Sequence, residues 1–549
     1  MKTIIKFNFI CLCLTALFST SCDDGFLDRT PYTSLASSTI WTSDNNALMA
    51  INGIYSNARR EWAMHGYAYH FTCWGPDGYN YFRGAAIEMN TATTRSGEFL
   101  NTYTNFYRVI RLTNDAIVNL ENNSAITPEL SKRMLGEAKF FRGLSYFILW
   151  HLFGGVIILD KPVLPSETYL PRNTAEEVKA FVIKDFTDAI ESLPVSYSSG
   201  DYGRITKGAA TAMLGKTYLY DNQWDKAAEQ FGKLLVAPYD YDLHPEYWQL
   251  FDYKWENNEE VVYSIQMIDQ ADLGSMYEEW YGGRATYQYA QSYCLASHLP
   301  FETSVNTDGT PVDLSTRPKR SDYETEFDYG VDLMAWYETC LPNVDKRLQG
   351  NLIMPTDTFI GLNSTVYKVY WPYLDYANAT PPAYRIEWSG YACYNWRKFV
   401  NIANENKVRW NSPNDIPVIR FADVLLMYAE AVNEQSGPTA AVYDAVNRVR
   451  ERAGIAALAD GLSKDEMRRY IRLERYHEFP GEGHLFFDVR RWRTAHTDDP
   501  IFGLNHDVLD FRGEKLFTRK FTERYYLWPI PEQERELNSQ LDQNPGWEQ

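Results

Sequence analysis

Cysteine is scarce and scattered in this chain of 549 residues, with seven in all and no Cys-x-x-Cys or Cys/His cluster. Cys11 and Cys13 fall in the first segment and Cys22 at its end, while Cys73, Cys294, Cys340 and Cys393 lie far apart. That pattern excludes a disulfide-built scaffold and a sulfur-bound metal. Positive charge is in deficit: 53 Lys and Arg face 72 Asp and Glu, for a net charge of −19, which phosphate backbones would repel. After residue 18 no apolar run approaches the ~20 residues of a membrane-spanning helix. Sequence signatures of catalysis are missing too. There is no G-x-S-x-G elbow and no P-loop. His477 and Glu478 are followed by a second histidine only at 484, with Pro480 and Gly481 between, so no single helix face presents a zinc site. Asn306, Asp308 and Gly309 lack the other oxygen ligands of a calcium loop. No pair among the 72 acids is singled out for glycoside hydrolysis. The expectation is a protein without catalytic residues, cofactor or metal.

What the chain has in abundance is aromatic residues: 16 Trp, 40 Tyr and 28 Phe make up 15% of it. Some must serve the core, but many lie in stretches without helical periodicity, where flat rings serve to stack on a ligand. The start is a separate matter. Lys2 and Lys6, an apolar run over 7–18, and Ser19, Thr20 and Ser21 ahead of Cys22 read as an export signal over 1–21 with Cys22 as the acylated residue. Residues 22–43 then form a lipidated tether.

The organising stretch is 204–237. Leu214, Gly215, Tyr218, Ala227 and Phe231 have the spacing of a tetratricopeptide helix pair, with small residues where the helices cross and aromatics filling the groove beside them. One such pair cannot bury both its faces, so further pairs must stack on it. Apolar periodicity supplies them at 45–62, 101–120 and 130–153, and a Thr174/Glu177 capping box opens another helix reaching about residue 193. Residues 44–238 thus read as an N-terminal tetratricopeptide-like part. Between 239 and 417 the helical period fades into turns, short aromatic runs and a strand at 259–267, an inserted loop-rich region. Helices resume at 419–433, 439–453 and 464–478 in a C-terminal part, 418–549, that closes against the first array. The fold class is mainly α. The charged run 468–493 reads as ion pairing between helices.

Sugar rings need flat platforms flanked by side chains that bond their hydroxyls. Three groups offer that combination: Trp74 with Asp77, Asn80, Tyr81 and Arg83 in a 71–85 loop; Trp280 and Tyr281 with Arg284 and Tyr287; and Tyr370, Trp371 and Tyr373. Trp336 is a further candidate platform. The alternative for each is packing over the helices.

Cys22 followed by DDGFLDRTP, the stretches 136–156, 204–220, 416–433, 446–454 and 472–492, and the closing LWPIP with QNPGW together resemble the SusD/RagB family of outer-membrane nutrient-binding lipoproteins. The resemblance implies four tetratricopeptide-like pairs packed against a variable half that carries the ligand site. It implies a lipid-anchored, outward-facing, non-catalytic protein. Such a protein captures oligosaccharide or polysaccharide and passes it to a SusC-like TonB-dependent transporter; capture of peptides for import is the alternative. The matching motifs lie on scaffold positions, so no binding residue transfers from the family.

Overall fold

The computed structural model describes residues 40–80, 85–270, 272–282, 293–360, 365–372, 375, 378–384, 387–388, 391–400 and 411–548. Helix α1 (Asp44–Ala58) starts at Ser43, whose hydroxyl accepts from the Asn46 N–H, and buries Ala47, Ile51 and Ile54 on one stripe. Helix α2 (Tyr67–Trp74) follows a wide turn and leads into strand β1 (Gly78–Asn80). The expected loop from residue 71 is therefore helical through Trp74: the Gly-Pro signal ends a helix that has already begun. Then come α3 (Gly97–Leu120), α4 (Pro128–Phe153), α5 (Ala175–Ser192), α6 (Lys207–Tyr220) and α7 (Trp224–Lys233). The capping box of α5 forms as read, with Thr174 and Glu177 each accepting from the other's backbone N–H. Helix α4 is buried on several sides because α3 and α5 pack against it at once.

The α6–α7 pair shows why its spacing matters. A Cβ on Gly215 would stand 2.8 Å from Phe231 Cε1, and Phe231 and Ala227 are fully buried. Tyr218 is only half-buried, lying beneath the Lys226 ammonium at 5.3 Å. Gly215→Val is therefore expected to force the helices apart and cost about 1–3 kcal/mol in urea unfolding. An unchanged midpoint would show that the crossing is not tight.

The central region is less irregular than its sequence. Strand β2 (Val261–Ile265) appears where expected, β3 (Cys294–Ala296) pairs antiparallel with β1, and α8 (Glu326–Cys340) is a full helix that the fading periodicity concealed. Its signals were a Thr325 cap accepting from the Asp328 N–H and buried Tyr329, Leu333 and Tyr337. Residues 416–420 form strand β4 (Ile416–Arg420), antiparallel to β2, so the next helix, α9 (Phe421–Ser436), begins later than periodicity suggested. Helices α10 (Ala440–Arg452), α11 (Lys464–Glu478) and α12 (His484–Arg491) follow. Helix α9 packs on α7, and on α10 and α11, so the second array closes against the first. One apolar core, running from Trp41 to Trp547, serves both arrays and the region between them.

Where the three parts meet, charges are buried in balance. Arg347 pairs with Asp345, Glu474 and Glu478, and Arg420 with Glu260, Glu478 and Glu482. Arg452 pairs with Glu260 and Glu478, Arg450 with Glu474, and Lys398 with Glu482. Beside this network Arg475 bridges Asp423 and Asp488, and Arg491 reaches Glu430 and Asp488. From Glu474 to Arg491 the charged run is thus interior scaffold, while Arg469 and Arg493 at its ends are exposed. His477 bonds the Thr303 carbonyl and His484 lies between Lys216 and Asp423.

Candidate functional site

Two stretches far apart in sequence form one aromatic cavity. The wide turn Glu61–His65 and α2 supply Trp62, Tyr69, His70 and Trp74, and the segment 276–293 supplies Met276, Glu279, Trp280 and Tyr293. The cavity holds about 380 Å³ and is rimmed by Glu61, Asn80 and Glu98. Rings are layered within it. Trp62 stacks on His70 at 4.1 Å and 21°, and His70 on Trp74 at 5.4 Å and 18°, giving a ladder of three. Trp280 stacks on Tyr69 at 4.5 Å and 20°. The turn closes this tightly because residue 66 is glycine: a Cβ there would meet the Glu61 carbonyl at 2.2 Å and His70 Cδ2 at 2.6 Å.

The two walls are tied by hydrogen bonds. The Tyr277 hydroxyl donates to the His65 carbonyl and accepts from the Tyr69 N–H, while His65 Nε2 accepts from the Met276 N–H. Burial lowers the pKa of both His65 and His70 to about 3, so both imidazoles are neutral at neutral pH. The buried Glu88 carboxylate accepts from the N–H groups of two lining residues, Asn80 and Ala85.

The residues expected from sequence distribute unevenly. Trp74, Asn80 and Trp280 line this one cavity, although they come from two of the three proposed groups. Trp74 and Trp280 form its floor, 7% and 5% exposed, while Trp62 stands half-buried and Tyr293 is 37% exposed. Tyr281 and Asp77 lie beneath it and grip one glycine: Tyr281 donates to the Gly481 carbonyl and Asp77 accepts from the Gly481 N–H. Both side chains are fully enclosed, so they support the floor from the scaffold side. Trp371 is enclosed by Tyr329, Phe511 and the Arg512 guanidinium, which leaves no face for a ligand. Tyr370 lies under Lys368, and Trp336 packs on Phe301 and Tyr337 with its indole N–H donated to Thr316; neither lines the cavity. Cys22, Tyr81, Arg83, Arg284, Tyr287 and Tyr373 lie outside the described residues.

Sequence reasoning passed over Trp62, Tyr69 and His70. Each sits in or beside a helix, where a ring signals packing, and only the 62/70/74 spacing hints at a shared face.

Asp77 offers a direct check of the supporting role. Burial raises its carboxyl to about 7, partly offset by the Gly481 N–H. With the folded pKa above the unfolded value of 3.8, the wild type loses stability as pH rises from about 4 to 7. Asp77→Asn removes that slope, so its advantage over wild type should grow by up to about 1.4 kcal/mol per pH unit across this window and then level off. Urea unfolding at a series of pH values reads it, and ligand binding should be unaffected. A parallel pair of stability curves would mean that Asp77 is solvated.

Comparison with known proteins points to one family. A family model described as the SusD family matches residues 254–547, and a second, described as "Starch-binding associating with outer membrane", matches residues 26–219. A SusD-like protein from Bacteroides ovatus is 25% identical over 544 residues, covering 94% of this chain and 88% of that protein. A SusD-like carbohydrate-binding protein from Bacteroides fragilis superposes with a TM-score of 0.77 at 22% identity, covering 92% of this chain and 100% of that one. Surface glycan-binding protein A from Bacteroides thetaiotaomicron, solved in complex with laminarihexaose, does so with a TM-score of 0.65 at 17% identity, covering 92% and 100%. With more than half of its length matched by the family model, this chain belongs to the SusD family.

Proposed function

We propose that the protein binds oligosaccharide or polysaccharide at the outer surface of the cell and delivers it, unhydrolysed, to a TonB-dependent transporter of the SusC type. The observation that carries the reading is the cavity itself. It sets layered aromatic rings beside Asn80, Glu61, Glu98 and Glu279, which offers flat faces for sugar C–H surfaces and acceptors for hydroxyls in one open site. Outer-membrane association is supported by the description of the second matching family, and the glycan class by the laminarihexaose complex of the structural neighbour. Anchoring through an acylated Cys22 completes the proposal.

The test is calorimetric titration of the chain lacking residues 1–22 with laminarin, amylose, galactomannan, xylan and a mixture of unstructured peptides. Binding of one glycan class, without release of shorter sugars on prolonged incubation, is the expected result. Binding of the peptides alone would replace glycan capture by peptide capture, and release of shorter sugars would make the protein an enzyme.

A further inference from the structure

Beyond the aromatic cavity, two hollows open side by side where the segment before α6 meets β2. The larger, about 340 Å³, is walled by Tyr197, Tyr202, Tyr239 and Tyr241 with Asp240 and Asn257. The smaller, about 210 Å³, is lined by Asn52, Tyr55, Arg59 and Gln266. They share Gly203, Tyr263 and Ser264 in their walls, so they are neighbours. The glycine keeps that junction low. Its φ is +82°, and a Cβ would stand 2.4 Å from Gln266 Cδ.

The pair also lies near the first site. The smaller hollow reaches Arg59, and the aromatic cavity begins at Glu61, two residues on. Consecutive Cα atoms are 3.8 Å apart, so these two lining positions lie within about 8 Å of one another. The smaller hollow and the aromatic cavity therefore have neighbouring walls.

Their chemistry repeats that of the first site. Tyr202 is 58% exposed, which leaves its ring open to a ligand, and Tyr239 and Tyr241 stack at 5.9 Å and 12°. Amides and a carboxylate stand among these rings. Tyr263, only 5% exposed and lining both hollows, has a hydroxyl with no hydrogen-bond partner.

We infer that this pair of hollows is a second glycan subsite close to the aromatic cavity, and that the ligand is a polysaccharide chain long enough to engage both. The inference rests on the glycan reading given above and specifies the length of its ligand. Its energetic sense is multivalent: two weak contacts on one chain bind tightly when both are engaged at once.

The experiment titrates the wild type, Tyr202→Ala, and Tyr202→Ala/Tyr239→Ala with laminarin and laminaritriose, amylose and maltotriose, and xylan and xylotriose, following the trisaccharides by saturation-transfer NMR. For the linkage that binds, the polymer should lose about tenfold in affinity in the double variant and less in Tyr202→Ala, as expected from removing stacking contacts. The trisaccharide, held in the aromatic cavity, should be unaffected. The exposed position of Tyr202 keeps the single variant folded, so an effect there cannot be ascribed to unfolding. Polymer affinity unchanged in both variants, with Trp62→Ala abolishing it, would overturn the second subsite and leave the glycan reading intact. No polymer binding by the wild type would overturn both.

Discussion

Glu478→Gln is expected to destabilise the fold by about 3–5 kcal/mol, the cost of leaving buried charges without their partner. Glu478 is fully buried and accepts from Arg347, Arg420 and Arg452 together. Burial alone would push its carboxyl up, but Arg452, Arg420 and Arg347 outweigh burial and hold it well below the ordinary range. The stability this supplies is present above the unfolded value near 4.5 and is lost only as pH falls below it. Glutamine keeps the shape and removes the charge, so the five cations of the network would face four anions. The comparison is Glu536→Gln, which breaks a pair with Arg95 whose side chains are 51% and 60% exposed. That change should cost less than about 1 kcal/mol, because water already screens the pair. Urea unfolding of the two variants at neutral pH makes the test, and equal midpoints would show that water reaches the network.

Trp62→Ala should weaken glycan binding by about 30-fold or more, as for a ring that contributes at least about 2 kcal/mol to an interface. With one face on His70, Trp62 is the outermost ring of the ladder and is still half-buried at the cavity. Trp74 and Trp280 are nearly enclosed, so truncating them disturbs packing against Trp528 and Tyr69 as well as the ligand surface. Trp62 separates the two effects: its loss should leave the unfolding midpoint within about 1 kcal/mol of wild type, as for a surface position. Titration with the glycan that the wild type binds reads the first quantity and urea unfolding the second. Unchanged binding would move the platform to Tyr293. Because His65 and His70 are held neutral, neither imidazole should add a pH dependence to the affinity of the wild type between about pH 5 and 8.

The scaffold was largely legible in the sequence because its information is local and periodic. The Thr174 capping box, the α6–α7 spacing around Gly215, and α11 with its bounds at Lys464 and Glu478 each follow from residues no more than seventeen positions apart. The site was legible only in part. Trp74, Asn80 and Trp280 stood out because they break periodicity, but nothing local says that positions 74 and 280 face one another. Two tertiary contacts bring them together: the pairing of β1 with β3, and the Tyr277 hydroxyl clasping the backbone at His65 and Tyr69. Burial sorted the remaining aromatics. Trp371 and Tyr281 have the same composition around them as Trp280, yet one is closed off by Phe511 and Arg512 and the other by Trp396. By itself the sequence determined a helical, aromatic-rich scaffold whose interior charges had to be paired. Which rings remain open to a ligand was decided only by tertiary structure, because exposure depends on what long-range packing brings against each ring, and no local pattern encodes that.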